Sequence, residues 1–196
     1  MEQWYIIAGL GNPGAQYAQT RHNVGYMVVE KLAERWRVAW TRESRFSACL
    51  ARRSREDQSI LLCRPETYMN ASGEAVGPLA SFYRVERQNL LAVSDDADLP
   101  FGAIRTRPEG SSGGHHGLES IQQHLGSTEF PRLRIGIGRS DPANREITDY
   151  VLSRFRKEEA DLLEKVLTRA CEQIECWLAE GILSAMNRFN GIIKSE

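Results

Sequence analysis

Runs of apolar residues alternate with amphipathic stretches along the first half of the chain. The run WYIIAGLG at positions 4–11 is almost continuously apolar and ends in glycines, which predicts a first strand buried on both faces. Apolar residues then recur with a helical period over positions 24–38, and Asn23 in front of them is a predicted N-cap. Positions 45–52 and 59–65 predict two strands joined by a charged turn.

The second half continues this alternation. Positions 89–100 predict a strand that runs into an acidic turn, and further strands are predicted at 102–107 and 132–138. Helices are predicted at 70–85, 118–126 and 157–181. Pro78 stands inside the first of these helices, where it would remove a backbone hydrogen bond. The alternation, with no internal repeat or linker, predicts a single α/β domain over residues 1–196. We expect a three-layer sandwich around a twisted, mixed and largely parallel sheet.

The composition is that of a folded globular protein. Of 196 residues, 41% are hydrophobic and 26% are charged, which excludes the disordered class. Apolar stretches stay shorter than the roughly 18 residues that a membrane helix needs. The N-terminus lacks the basic and cleavable regions of a secretory signal, so we expect a cytoplasmic protein without membrane contact. No C-x-x-C pair is present, and all four cysteines are expected to be buried free thiols: Cys49, Cys63, Cys171 and Cys176.

The charge is balanced overall but unevenly distributed. The formal net charge is −1, which does not by itself indicate a nucleic-acid-binding protein. Between Phe101 and Arg145, however, there are six arginines and no lysine, whereas the segment 157–180 leans acidic. A neutral chain with such a distribution can still carry a basic patch on one face.

The sequence GLGNPG at positions 9–14 matches the G-x-G-x-x-G fingerprint of dinucleotide-binding proteins. In that fingerprint the later glycines lie in the first turn of a helix that meets the pyrophosphate. Here Pro13 follows Asn12, the helical period begins only near Val24, and the acidic residue expected about 20 positions later would fall inside a helix. The spacing therefore argues against a nicotinamide cofactor, and no cofactor is expected.

This stretch offers instead a glycine-hinged loop that presents Asn12, Tyr17 and His22 just after the first strand. Open α/β sheets bind ligands at the edge where their strands end. A single histidine is most often a surface or helix-capping residue, so a functional role for His22 depends on which other side chains lie near it. Three further segments bring polar side chains of catalytic type to strand ends or turns: PETYMNASG with Tyr68 and Asn70, SDDADLP with Asp95, Asp96 and Asp98, and GGHHG with His115 and His116.

Five motifs occur in an order and spacing that resemble those of bacterial peptidyl-tRNA hydrolases. They are GLGNPG-x-x-Y-x-x-TRHNVG, P-x-T-x-MN-x-SG, DD-x-DLP-x-G, GGH-x-GL-x-SI and RLRIGIGR. The resemblance covers nearly the whole chain and implies a compact, monomeric α/β protein without an obligate protein partner. It further implies metal-independent hydrolysis of the ester that joins a peptide, or an N-blocked aminoacyl group, to the 3′ end of tRNA. The freed tRNA would then return to translation.

The resemblance also implies catalytic roles for three residues. His22 would take a proton from water, because histidine is the natural base near neutral pH. Asp95 would orient the imidazole and stabilise its charged form, as the carboxylate does in hydrolytic triads. The alternative for Asp95 is a turn residue, because the acidic segment around it is also typical of a turn. Asn12 matches the asparagine that separates N-blocked substrates from free aminoacyl-tRNA, whose ammonium group would have to be desolvated.

Binding of the 3′ CCA end of peptidyl-tRNA is implied for a second set of residues. Tyr17 and Tyr68 match aromatic positions that contact substrate and could stack on the terminal adenine. The amide of Asn70 would hold the peptide backbone. The remaining substrate-binding candidates are Met69, His115 and His116.

Arginines are expected to contact the phosphates of the acceptor stem. Arg105 and Arg107 share one face of a predicted strand at a spacing of two. Arg134 matches a basic position of the family that meets tRNA phosphate, and the arginine fork suits such contacts. A solvated surface charge is the alternative for each of these residues.

The segment GGHHG departs from the family pattern, Gly-Gly-His-Asn-Gly. His116 stands in place of the asparagine, and an imidazole cannot offer a donor and an acceptor on one planar amide. A charged His116 would also oppose protonation of His22. The adjacent histidines suggest a metal site with Asp95 or Asp96, but adjacent side chains point in different directions and no H-x-x-x-H spacing supports zinc. No metal is expected.

An alternative function is RNA binding by a catalytically weakened member of the family. The change at His116 leaves room for this interpretation. The presence of Asn12, His22, Asn70 and Asp95 together favours the hydrolase instead. The assignment as a nucleotide-dependent oxidoreductase would depend on the motif GLGNPG alone.

Overall fold

A mixed β-sheet forms the centre of the structure, a computed structural model that describes residues 3–55, 57–139 and 147–193. Eight strands are present in this part of the chain: β1 (Gln3–Gly9), β2 (Trp40–Glu43), β3 (Ala48–Arg55), β4 (Gln58–Pro65), β5 (Leu90–Asp96), β6 (Ala103–Arg107), β7 (Arg132–Gly136) and β8 (Gly191–Ile192). Their order across the sheet is β2-β3-β4-β1-β5-β7-β6-β8.

The middle of the sheet is parallel and its edges are antiparallel. β1 pairs in parallel with β4 on one side and with β5 on the other, and β5 pairs in parallel with β7. Antiparallel strands extend this centre in both directions. The mixed sheet is therefore confirmed, with its parallel part in the four central strands. Because those strands run the same way, their carboxyl ends meet at one edge, where open α/β sheets bind ligands.

Helices cover both faces of the sheet. The described ranges contain α1 (Val24–Trp36), α2 (Ser72–Phe82), α3 (His116–Leu125), α4 (Ile147–Val151), α5 (Ala160–Glu180) and α6 (Ile182–Phe189). α1 and α5 pack together over one face, and α2 and α3 pack together over the other. The three-layer α/β sandwich expected from the sequence is confirmed.

β1 shows why the first strand is apolar at successive positions. Ile7 points into the core formed with α1 and α5, whereas Ile6 and Ala8 point into the core formed with α2 and α3. All three side chains are fully buried. Since successive side chains of a strand face opposite ways, a strand between two helical layers needs an apolar residue at every position. Burial of each large aliphatic side chain contributes about 1.5–3 kcal/mol.

The glycines at the start of the chain bring α1 close to the strands instead of opening a phosphate site. A Cβ on Gly25, in the first turn of α1, would lie 2.3 Å from the carbonyl oxygen of Val93 and 2.5 Å from the backbone nitrogen of Leu10. A Cβ on Gly9 would lie 2.3 Å from the carbonyl oxygen of Gly25. α1 begins only at position 24, well after Gly14, so the loop does not lead directly into a helix as a dinucleotide fingerprint requires.

Most of the predicted elements are present with small shifts of their ends. α2 continues through Pro78. Proline has no N–H, so one carbonyl group of the preceding turn lacks its helical partner, and the exposed position of Pro78 lets water bond to that carbonyl. Asn23 does occupy the N-cap position of α1, but its side chain makes no capping hydrogen bond, so that part of the prediction is wrong. The sequence pattern did not indicate β2, α4, α6 or β8, all of which are short.

The cysteines agree with the expectation from the sequence. All four cysteines are free and buried. Burial raises the pKa of the Cys171 thiol to about 12, so this side chain packs as a neutral apolar group. Within residues 3–55, 57–139 and 147–193, no helix has the length and apolar character needed to cross a bilayer.

Arg132, one of the six arginines expected to form a basic patch, is instead almost completely buried, with 2% of its surface exposed. Its guanidinium donates to the backbone carbonyl groups of Gly110, Ser111, Thr128 and Phe130. Burial lowers the pKa of Arg132 to about 10. The side chain thereby ties the loop before α3 to the start of β7.

We expect Arg132→Met to lower the free energy of unfolding by about 2–4 kcal/mol, because it leaves buried carbonyl groups without a donor. Denaturation with urea measures this difference. Arg107→Met is the matched control, since Arg107 pairs with Arg132 in the sheet register but is exposed. Its effect should stay within about 0.5 kcal/mol. Equal stability of the wild type and Arg132→Met would show that the carbonyl groups do not need this cation.

Candidate active site

Polar side chains from five chain segments meet where the central strands end. Asn12 lies in the loop after β1, His22 in a single 3-10 turn ahead of α1, and Asp95 near the end of β5. A second 3-10 turn, Met69–Ala71, follows β4, and His115 is the N-cap of α3. The parallel order of β4, β1 and β5 brings these segments to one edge of the sheet.

Asp95 holds the imidazole of His22 in one orientation. Nδ1 of His22 lies 2.9 Å from Oδ1 of Asp95, and the two side chains are 14% and 3% exposed. Because an ionised carboxylate only accepts hydrogen bonds, Nδ1 carries the proton and Nε2 keeps a free lone pair. The contact expected between the two residues is confirmed, and it leaves His22 with one nitrogen able to take up a proton.

His115 donates to the same carboxylate oxygen. Its Nε2 lies 2.9 Å from Oδ1 of Asp95. Its Nδ1 accepts from the backbone N–H groups of Gly117 and Leu118 at 3.2 and 3.3 Å. An imidazole that accepts at Nδ1 must carry its proton on Nε2. The structure therefore directs His115 at Asp95, while the expected contact with substrate stays a prediction.

Asp95 is ionised although it is buried. Burial raises the pKa of its carboxyl group, but the positive potential and hydrogen bonds of His115 and His22 outweigh that effect. The pKa of Asp95 therefore lies well below its usual range. A carboxylate in this environment keeps its charge through the neutral range and can stabilise an imidazolium at His22.

The same cluster raises the question of a metal ion. Ligand atoms of His22, Asp95 and His115 all lie within 4.8 Å of one another. The donor set does not fit a metal. Backbone N–H groups donate to Nδ1 of His115, so the ring proton is on Nε2, and that nitrogen has no free lone pair for a metal ion. His116 points elsewhere, with Nδ1 3.4 Å from Oε2 of Glu119. The cluster is better described as two histidines that donate hydrogen bonds to one carboxylate than as a metal centre.

Neighbouring groups also orient Asn12. Its Oδ1 accepts from the backbone N–H of Met69 at 2.8 Å, which leaves Nδ2 as the part of the amide available to a ligand. The side chain of Asn23 accepts from the backbone N–H of Asn12 and donates to its carbonyl oxygen, each at 2.9 Å. This use of the Asn23 amide explains why it does not cap α1. Asn12 therefore presents an N–H donor in a fixed position.

A groove of about 380 Å³, here called the side groove, joins two of the three catalytic candidates to four of the substrate-binding candidates. Tyr68, which is 60% exposed, and Asn70, which is also exposed, are accessible to a ligand. Met69 is buried and contributes the N–H that orients Asn12. The lining of the side groove is Asn12, His22, Tyr68, Met69, Asn70 and His116.

A second cavity of about 230 Å³, the main cleft, shares Asn12, His22 and His116 with the side groove. Its polar wall includes Asp95, Asp96, Asp98, His115 and Arg134, and its apolar wall includes Ile147, Val151 and Leu152. Nε of Arg134 lies 2.9 Å from Oδ2 of Asp96, so part of this guanidinium is already engaged. The main cleft therefore offers charged groups next to His22 and an apolar surface at α4.

Three of the residues predicted to contact tRNA lie outside both cavities. Arg105 and Arg107 are exposed on the same face of β6. Tyr17 is half-buried in the loop after β1 and lines neither the main cleft nor the side groove. Their contacts with substrate stay predictions. Arg145, another member of the predicted basic patch, falls outside the described residues.

The sequence reasoning missed the apolar wall of the main cleft. Ile147 and Val151 are four positions apart and so share one face of α4. A helix of five residues is too short for a periodic signal, although two aliphatic residues at helical spacing were a partial hint. The role of Asn23 was missed for a different reason, since nothing in the sequence links it to the backbone of Asn12.

This chain is similar over nearly its full length to proteins of known function. The family described as Peptidyl-tRNA hydrolase matches residues 6–196. A peptidyl-tRNA hydrolase from a Synechococcus species is 48% identical over 185 residues, which are 94% of this chain and 82% of that protein. A peptidyl-tRNA hydrolase from Bacillus subtilis is 45% identical over 186 residues, which are 94% of this chain and 97% of that protein.

Solved structures show the same similarity in three dimensions. The crystal structure of peptidyl-tRNA hydrolase from Acinetobacter baumannii has a TM-score of 0.90 and 34% identity, covering 98% of this chain and 97% of that one. A complex of peptidyl-tRNA hydrolase with N-propanol has a TM-score of 0.91 and 34% identity, covering 100% of this chain and 98% of that one.

Proposed function

Because the chain belongs to the peptidyl-tRNA hydrolase family and hydrolyses peptidyl-tRNA, we propose that His22, Asp95 and Asn12 carry this reaction. The observation that supports the assignment most strongly is the contact of 2.9 Å between Nδ1 of His22 and Oδ1 of Asp95, beside two cavities. We further propose that residues 1–196 act as one domain.

His22 acts as the general base toward a water molecule. As the water oxygen forms a bond with the ester carbonyl carbon, Nε2 of His22 takes the proton, and Asp95 stabilises the imidazolium without being protonated itself. The bond between that carbon and the 3′ oxygen of the tRNA then breaks, and His22 returns the proton to the departing oxygen. An ester has a good enough leaving group for direct attack by water, so no covalent intermediate is required. The products are a peptide with a free carboxyl group and a tRNA with a free 3′ hydroxyl.

Asn12 recognises the blocked amino group of the substrate. Its Nδ2 is left as a donor because Oδ1 is occupied by Met69. A peptide or an N-acyl group offers a carbonyl oxygen that accepts from this donor. A free aminoacyl group offers an ammonium ion, which has only donors and must lose its water on entering the site. The fixed orientation of the amide therefore favours N-blocked substrates.

We expect Asn12→Asp to weaken this preference. The carboxylate can still accept from the backbone N–H of Met69 but has no donor for the substrate. kcat/KM for N-acetyl-aminoacyl-tRNA should fall by about 10- to 100-fold, the loss of one well-placed hydrogen bond. Hydrolysis of the same tRNA with a free amino group should fall less, because the new carboxylate attracts an ammonium ion. Parallel deacylation assays measure the ratio, and an unchanged ratio would rule out this role for Asn12.

Exposed side chains around the cavities support recognition of the 3′ CCA end and the acceptor stem. Tyr68 can stack on the terminal adenine, and Asn70 and His116 can contact the peptide from the side groove. Arginine side chains can bind the phosphates, namely Arg105, Arg107 and the part of Arg134 that Asp96 leaves available. Since tRNA is used and recycled in the cytoplasm, we place the enzyme there, acting as a monomer.

The alternative function, RNA binding without hydrolysis, finds no support in the site or in the relatives. The exposed position of His116 leaves the contact between His22 and Asp95 intact. Wild-type protein that binds N-acetyl-aminoacyl-tRNA without deacylating it would favour the alternative.

A further inference from the structure

One oxygen atom of Asp95 serves two histidines. Nδ1 of His22 and Nε2 of His115 each lie 2.9 Å from Oδ1, and the two rings have their centroids 5.3 Å apart. The mechanism above uses only the contact with His22. The second donor is 11% exposed and belongs to a different chain segment, so its presence needs a separate explanation.

The start of α3 fixes the proton of His115. Its ring is the N-cap of the helix, with Nδ1 accepting from Gly117 and Leu118. A proton on Nδ1 would face two N–H donors and would leave both without an acceptor at the helix start. His115 therefore keeps its proton on Nε2 and remains a donor to Asp95.

We propose that His115 is a positioning residue that shares Asp95 with His22 and thereby extends the activity of His22 as a base to lower pH. The inference rests on the proposed function. Each donor on Oδ1 neutralises part of its negative charge, so a carboxylate that already accepts from His115 attracts a proton onto His22 less strongly. The same hydrogen bond holds the carboxylate in the orientation that His22 needs.

Other charged groups near the pair come from several elements and stay in place when His115 is replaced. Asp96 is paired with Arg134 on β7, and Asp98 is exposed in the turn after β5. Arg21, next to His22 in the chain, points away and pairs with Glu159 at 2.7 Å. On α3, His116 pairs with Glu119. These groups act equally on the wild type and the variants, so a difference between the two reports on His115.

The test is the pH dependence of kcat/KM for N-acetyl-aminoacyl-tRNA in His115→Asn. Asparagine is a good N-cap and keeps the start of α3, but its side chain is too short to reach Asp95 as the imidazole does. We expect the acidic limb of the profile to move to higher pH by about half to one unit, whatever the change in the height of the plateau. His124→Gln, which replaces a histidine at the other end of the same helix, should leave the limb in place.

A His115→Asn profile with an unmoved acidic limb, or one moved to lower pH, would overturn the proposal and make His115 a purely structural cap. His115→Ser, which also caps a helix, must shift the limb in the same direction. Nitrogen NMR of the wild type provides a test that needs no variant. We expect the neutral imidazole of His115 to carry its proton on Nε2 and not on Nδ1, and the reverse tautomer would overturn the proposal.

Failure of this proposal and failure of the proposed function give different results. If His22 is not the base, the acidic limb of the wild type will persist in a His22 variant. If His22 is the base but His115 does not share its carboxylate, the limb will disappear in the His22 variant and stay unmoved in His115→Asn.

Discussion

Replacement of His22 by asparagine is expected to lower kcat for hydrolysis of N-acetyl-aminoacyl-tRNA by about 10²- to 10⁴-fold, the usual contribution of a positioned general base. Asparagine can still bond to Asp95, so the fold around the site should remain. It has no nitrogen that takes up a proton near neutral pH, so water must attack without a base. Steady-state deacylation measures the loss.

Two controls separate this effect from damage to the protein. Binding of deacylated tRNA should change by less than about threefold, because His22 does not contribute to phosphate binding. His124→Asn, at a histidine remote from the cavities, should keep nearly full activity. A His22→Asn enzyme within tenfold of the wild type would mean that another group activates the water.

Asp95→Asn is expected to lower kcat by about 10³- to 10⁴-fold, the size of effect seen when the carboxylate of a hydrolytic triad is replaced by an amide. Both His22 and His115 direct an N–H at Oδ1. An amide has one accepting oxygen and one donating nitrogen, so it cannot replace a charged oxygen that accepts from both. Where the amide nitrogen faces His22, the ring must carry its proton on Nε2 and loses its function as a base.

The matched control for Asp95→Asn is Asp98→Asn, which removes a carboxylate that lines the main cleft but is exposed. Its kcat should stay within about tenfold of the wild type, because only long-range charge is lost. Asp95→Asn activity comparable to that of Asp98→Asn would show that Asp95 contributes only charge and does not orient His22. Pre-steady-state rates of the two variants should be compared, because they do not depend on product release.

The fold could be predicted largely because the strands of the parallel centre are buried on both faces. Ile6 and Ile7 go to opposite cores, which makes the run around them apolar throughout and recognisable as a strand. β2 and α4, with four and five residues, are too short to show a period. Only Gly181 separates α6 from α5, so the sequence pattern indicated the end of one helix but not the start of the next.

The candidate site could be predicted from polar residues that follow strands. Asn12, His22 and Asp95 each come shortly after or at the end of a parallel strand, and the topology then brings them together. The direction of each side chain was not predictable. His115 and His116 are adjacent in sequence, yet one is directed at Asp95 by the helix cap and the other is 75% exposed.

Burial of a charged residue was also beyond the sequence. Arg132 looks like a surface arginine in RLRIGIGR, and only the fold shows the backbone carbonyl groups that surround it. These groups come from the loops on either side of α3, at positions 110–111 and 128–130. Their convergence depends on tertiary packing, which local patterns do not encode.

The most direct test of the proposed mechanism is the pH dependence of single-turnover hydrolysis of N-acetyl-aminoacyl-tRNA, measured from about pH 5 to 9 in the wild type and in His22→Asn. We predict a wild-type rate that rises about tenfold per pH unit on the acidic side and then levels off, as one imidazole becomes neutral. In His22→Asn that step should be absent and the plateau rate lower by at least about 10²-fold. The same step surviving in His22→Asn would contradict the assignment of His22 as the base.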